Sequence, residues 1–169
     1  MTTVRPSRPD DAAGILAVVS DAFTDDTRDA TEELEIVRRT WSACAQPNRI
    51  ELVAVVDRAV AGHVLAAPGR VDGRSSAIAG VAPVCVAPAH QNTGTGSALV
   101  RALIRSAEDR GWPLLVLLGD PAYYGRFGFT PADRLGLGYA PVGAGNPHFQ
   151  ALALRDTTVG RGTFSYCWE

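Results

Sequence analysis

The chain has 169 residues, enough for one domain with a sizeable core, and its 20% charged and 46% hydrophobic residues are those of a globular rather than a disordered protein. A net charge of −2 gives no global positive excess for nucleic acid, and because all sixteen basic residues are Arg, no lysine is present for Schiff-base chemistry. No apolar run has the length of a membrane span, no signal core follows a basic N-terminus, and Cys44, Cys85 and Cys167 fit neither a disulfide framework nor a zinc site, so the expectation is a cytoplasmic protein without metal.

In chain order, residues 4–6 suggest a short first strand. Pro9, Asp10 and Asp11 then open a helix whose apolar stripe is Ile15, Val18, Val19, Ala22 and Phe23. Residues 25–29 read as a loop, and a second helix over 31–41 is expected to bury Leu34, Val37 and Trp41. Gln46-Pro47-Asn48 breaks it. Residues 51–56 and 60–66 read as strands joined by a turn at Asp57-Arg58, and 68–76, rich in Gly and Arg, as a second turn. A strand over 77–86 follows, with Pro83 inside it where a ladder donor is missing, so an edge or a bulge is expected there. Cys85 in this strand reads as a small buried hydrophobe.

The next stretch carries the most information. After Val86 come a Pro-punctuated turn, a glycine-rich corner and a helix with Leu99, Val100, Leu103, Ile104 and Ala107 on one face and Arg101, Arg105 and Asp109 on the other. Gly111 stands where a left-handed C-terminal cap is wanted. No Asp or Glu occurs between Gln91 and Arg105, although a helix start normally favours them. Thr93, Gly94, Thr95, Gly96 and Ser97 instead let backbone N–H groups approach another molecule at the positive end of the helix, which suits a phosphate. A Walker loop fails here because Ser97, not Lys, follows the last glycine, and the dinucleotide fingerprint fails because Leu99 takes its third small position. What remains is Gln-x-x-Gly-x-Gly, met by Gln91, Gly94 and Gly96. It lies between a strand and an amphipathic helix, and resembles the acetyl-CoA-binding motif of the GCN5-related N-acetyltransferase (GNAT) superfamily.

Residues 114–129 strengthen the resemblance. They look like the strand, short helix and strand that follow the cofactor helix in that superfamily. Tyr124, Gly128 and Phe129 match its Tyr-x-x-x-Gly-Phe element, and Gly119-Asp120-Pro121-Ala122-Tyr123-Tyr124 resembles a bacterial subgroup of N-acetyltransferases. The likeness runs from residue 4 to about residue 166 and is most specific over 81–129. Beyond it, 136–145 has no clear assignment, 149–154 alternates as a strand, and 163–168 reads as a last strand.

The resemblance implies an α/β fold in one domain over residues 1–169, with a central mixed, mostly antiparallel sheet splayed at the cofactor strand and flanked by helices. It implies transfer of the acetyl group of acetyl-CoA to a small-molecule or peptide amine, by a monomer or homodimer, without metal, membrane or nucleic acid. Backbone groups of Gln91, Asn92, Thr93, Gly94, Thr95, Gly96 and Ser97 would hold the pyrophosphate. Those of Val84, Cys85 and Val86 would pair with the pantetheine, one N–H there polarising the thioester carbonyl. Tyr124 would be the acid for the departing thiolate; a packing tyrosine is the plain alternative, as adjacent Tyr123 illustrates.

The residue that takes the amine's proton is not evident. Asp120 before Pro121 reads as a helix N-cap, His63 as a structural histidine, His90 as exposed, and water could serve instead. In the family the loop between the first two helices faces the acceptor. Here Asp25, Asp26, Asp29, Glu32, Glu33 and Glu35 with only Arg28 suggest a cationic amine, or equally a helix start and a solvated face. Two other classes compete with the enzyme: an acetyl-CoA sensor without turnover, against which Tyr124 speaks, and an interaction module, against which Gln91, Gly94 and Gly96 speak.

Overall fold

The computed structural model describes residues 1–156 and 161–169, and its residues group into two compact units. The first comprises Met1–Ala66 with Ala82–Arg105, the second Ala67–Val81 with Ser106–Glu169. The sheet is mixed but mostly antiparallel and open, with helices flanking it. No helix among the described residues is long and apolar enough to cross a membrane.

In the first unit β1 (Thr3–Pro6) and β2 (Ile50–Val56) pair antiparallel, and β2 pairs with β3 (Ala59–Val71) from Val56↔Ala59 to Ile50↔Ala66. The β2–β3 turn is the anticipated Asp57-Arg58. Both residues take left-handed φ (48° and 70°), which matches the twist of a two-residue hairpin. The end of β4 (Arg74–Val86) lies beside β3, with Ala87 N–H donating to Ala61 O at 2.9 Å.

Helices α1 (Ala12–Phe23) and α2 (Thr31–Ala43) cover one face of this sheet. Ile15, Val18, Val19 and Val37 pack with Val53, Leu65 and Cys85. The apolar stripe of α1 is as its periodicity predicts, after a short 3-10 turn over Pro9–Asp11. In α2 the expectation is only partly met: Val37 is buried, but Leu34 and Trp41 are half-buried, and Glu33 and Thr40 are the residues that join Val37 inside. Both polar side chains are hydrogen-bonded there, Thr40 to Ile36 O and Glu33 to Arg28. On the other face, a Cβ at Gly62 would collide with Leu99 of α3 (Thr95–Asp109), so the helix that follows the glycine corner sits close against the strand.

In the second unit β4 runs parallel to β5 (Leu114–Leu118), with Ala79, Gly80 and Val81 opposite Leu115, Val116 and Leu117. That register ends two residues before Pro83, whose ring nitrogen has no hydrogen to donate to a ladder. The strand β8 (Phe149–Ala153) pairs antiparallel with β5, and β6 (Thr130–Pro131) with β8. The expected turn over 68–76 shrinks to Asp72-Gly73, both left-handed, because the flanking residues continue β3 and β4. The unassigned stretch around 136–145 contains β7 (Leu137–Tyr139), which pairs parallel with β9 (Gly162–Ser165), itself antiparallel to Arg70 and Val71 of β3. The last strand is therefore shorter than 163–168. Gly111 ends α3 at φ +73°, as a left-handed cap should.

Candidate active site

The glycine corner belongs to the first unit. The ladder of α3 begins with Ala98 N–H donating to Gly94 O at 2.9 Å, so the N–H groups of Thr95, Gly96 and Ser97 precede its first bond. The first turn holds no acidic residue. Gly94 has φ +88°, and a Cβ built on it would meet nothing within 4 Å: the space beside the backbone is open. Asn92 is also left-handed, at φ 58°.

The loop is stiffened from within. Thr93 Oγ1 donates to His90 O at 2.6 Å and lies 3.0 Å from the hydroxyl of buried Thr95. The Gln91 side chain donates to Val86 O at 3.0 Å, which ties the loop to the end of β4, while its own N–H is directed to Pro88 O at 3.3 Å. The Gln of the motif is thus a brace for the loop. The structure brings residues 91–97 and 84–86 together in this unit.

Along β4, Val84 and Val86 are half-buried and Cys85 is buried. Burial pushes the Cys85 thiol up to about 12, although a hydrogen bond to the His63 backbone lowers it. Such a thiol stays protonated and is no nucleophile.

Tyr124 belongs to the second unit, at the end of α4 (Pro121–Tyr124). Its ring lies directly on Gly119, where a Cβ would collide with it, and stands edge-on to Phe129 at 5.9 Å. Tyr123 points into a different setting, beside Phe127 and under the Arg126 guanidinium at 4.5 Å. Asp120 is the N-cap of α4, accepting from Ala122 N–H at 2.9 Å, as its place before Pro121 predicts. Gly128 takes φ +94° and lets the chain turn into buried Phe129.

His63 is fully buried, with Nε2 3.0 Å from Glu51 Oε1. Burial alone raises the Glu51 carboxyl, but hydrogen bonds from His63, Trp41 and Ser7 outweigh it and hold the group at about 2. The pair is a structural post beneath α2, with Arg49 as a further donor at 3.3 Å. The acidic loop is also accounted for in part. Asp25 accepts from Thr27, Asp29 from Thr31 N–H at the start of α2, Glu33 pairs with Arg28 and Glu35 with Arg39.

One residue passed over in the sequence is His148. It lies at the end of the β5–β8 ladder, where Gly119 N–H donates to His148 O at 2.9 Å. Its ring Nδ1 is 3.1 Å from Gly119 O, which also receives Gln150 Nε2 at 3.0 Å. The available signal was the Asn146-Pro147-His148 turn before an alternating strand; Asn146 Oδ1 accepts from His148 N–H at 2.9 Å.

A mostly antiparallel open sheet flanked by helices, with an acid-free helix start behind a left-handed glycine, is the setting that comparison with known proteins matches to an acetyltransferase domain. The Acetyltransferase (GNAT) domain family matches residues 3–132, and the chain belongs to that family. The curated N-acetyltransferase YhbS of Escherichia coli K12 is 38% identical over 82 residues, which are 48% of this chain and 49% of that protein. The match thus spans about half the length of this curated relative. Among solved structures, Escherichia coli YhbS in complex with CoA superimposes with a TM-score of 0.83 at 30% identity, covering 98% of this chain and 89% of that one. A GNAT family acetyltransferase from Brucella melitensis in complex with acetyl-CoA gives 0.80 at 32%, covering 98% and 96%. Among the described residues no group of three or more His, Cys, Asp or Glu could hold a metal ion.

Proposed function

We propose that this protein is a cytoplasmic N-acetyltransferase that moves the acetyl group of acetyl-CoA directly to a primary amine of a small molecule or peptide. The observation that carries the proposal is Gly94: left-handed, open on its Cβ side and placed before a helix start without acid. Backbone N–H groups from Asn92 to Ser97 would hold the pyrophosphate there, aided by the positive end of α3, while the side chain of Gln91 keeps the loop in place. The backbone of Val84, Cys85 and Val86 would hold the pantetheine amides and polarise the thioester carbonyl. That two relatives at 30% and 32% identity were crystallised with CoA and acetyl-CoA supports this assignment.

Tyr124 would protonate the leaving thiolate. An ordinary thiol has a pKa of about 8.5, so this acid has a modest task. The buried, protonated Cys85 offers no acyl-enzyme intermediate, which favours direct transfer. Gly119-Asp120-Pro121 before the tyrosines supports the reading that the chain falls in the bacterial subgroup with that lead-in. The pull of the acidic loop on a cationic acceptor would fall mainly to Asp26 and Glu32, since four of the six carboxylates already serve the loop and α2.

Calorimetry with acetyl-CoA, followed by a thiol-release screen over primary amines, tests the reading. Saturable binding and amine-dependent release of CoA are expected. Binding without turnover of any amine favours a sensor, and no binding at all removes both.

A further inference from the structure

We propose that His148 is the catalytic base of this transfer, accepting the amine's proton on Nε2; the inference rests on the N-acetyltransferase reading above. The Nδ1 atom faces a carbonyl oxygen, which can only accept, so the hydrogen bond to Gly119 O at 3.1 Å requires the ring proton on Nδ1. That leaves Nε2 with its lone pair. His148 is exposed, and among the described residues Nε2 has no partner. The ring is thus held by one nitrogen and presents the other as a base, an arrangement in which the carbonyl fixes the tautomer.

Placement supplies the second argument. Tyr124 lies on Gly119 from one side, and His148 is bound to the same residue twice, through its backbone carbonyl to Gly119 N–H and through its ring to Gly119 O. In the tetrahedral adduct the amine nitrogen and the thioester sulfur share one carbon, so the base and the acid must converge on a site a few ångströms wide. A tyrosine packed on Gly119 and a histidine bonded to it lie against one residue and suit that demand. The other candidates do not: His63 and Glu51 are buried against each other, and Asp120 caps α4.

The step balances. The neutral amine attacks the thioester carbon, a C–N bond forms, and His148 Nε2 takes the proton that nitrogen loses. The C–S bond breaks with its electron pair on sulfur, and the thiolate takes the phenolic proton of Tyr124. Imidazolium and phenolate then exchange one proton with solvent.

The test uses the full chain with acetyl-CoA and whichever of ethanolamine, putrescine and diglycine the parent acetylates fastest, read as single-turnover release of CoA. His148→Asn keeps an N–H near the position of Nδ1 to bond Gly119 O but has no acceptor at Nε2; His148→Ala removes both. Both are expected to bind acetyl-CoA with the parent's Kd and to lose about 10²-fold or more in rate, and added imidazole should restore part of the alanine variant's rate. Parent-like turnover by His148→Asn overturns the proposal, because the ring is then only an anchor. Failure of imidazole to restore any rate overturns it as well. A parent enzyme that acetylates none of the three amines overturns the transferase reading, and with it the base.

Discussion

The corner before α3 and the corner around Gly119 are built from opposite materials. At the first, on the proposed reading, main-chain N–H groups would be the working parts, while side chains such as Gln91 and Thr93 brace the loop. At the second, the main chain is the fixture: Gly119 N–H and O position His148, and the Gly119 Cα makes room for Tyr124, while phenol and imidazole would supply the proposed chemistry. The contrast teaches where sequence variation is tolerated. A backbone cradle is sensitive to added bulk and indifferent to most functional groups. A side-chain corner is sensitive to the loss of single atoms.

Tyr124→Phe sharpens the contrast most. It removes one hydroxyl and keeps the ring on Gly119, so acetyl-CoA affinity should hold while single-turnover rate falls by ~10²-fold, the lower end for a general acid because the thiol is acidic. Tyr123→Phe, whose ring lies under Arg126, should cost much less. A larger loss in the Tyr123 variant would move the acid by one position.

Gly94→Val addresses the other corner. Its branched side chain would fill the open space beside the backbone, and φ +88° is strained for any residue with a Cβ, by about 1–2 kcal/mol. Calorimetry should show acetyl-CoA binding weakened ~10-fold or more, about 1.4 kcal/mol or beyond, with turnover at saturation far less affected. Unchanged affinity would break the assignment of the cradle.

Glu51→Gln acts on neither corner and separates stability from function. It leaves Arg49 beside an uncharged group and should destabilise unfolding equilibria by about 3 kcal/mol while sparing the acetyl-CoA affinity of whatever remains folded. The carboxyl sits at about 2 when folded and near its ordinary value when unfolded, so the unfolded chain binds the proton first. Its stabilisation is complete above the unfolded value and is lost as pH falls from about 4.5 towards 2. Urea titrations across that window should show a shallower acid loss for the Gln variant than for the parent.

The smallest effect belongs to Asp26→Asn. A modest rise in KM for a cationic acceptor is expected at low ionic strength and none at high salt, with KM for acetyl-CoA constant throughout. An unchanged acceptor KM would leave the acidic loop a purely structural feature.

The local structure of the glycine corner and of the Tyr124–Gly128 turn was legible because the signals are local: small residues before an amphipathic helix, and a tyrosine four residues before a left-handed glycine. The Asp57-Arg58 hairpin and the Asp120 cap were legible for the same reason. The 68–76 stretch misled because only Gly73 serves the turn, while Gly69 answers to a distant ring. Gly69 accommodates Phe164, and Gly80 further along the hairpin accommodates Tyr166. The strand β7 was hidden because its partner is β9, some twenty residues on and parallel, which no short-range pattern announces. His148 was missed because a lone exposed histidine has no signal until the register of β8 on β5 sets it opposite Gly119.

That register also separates inheritance from adaptation. Leu118↔Phe149 and the Gly119–His148 bond fix the imidazole from the sheet side, and Asn146, which accepts from His148 N–H, holds it from the turn before the strand. A loop of another length before Asn146 would leave these bonds to be made. A deletion of one residue inside β8 is another matter, since the two-residue alternation would turn the histidine to the opposite face. The histidine is thus held from two sides, by the strand edge and by the turn before it.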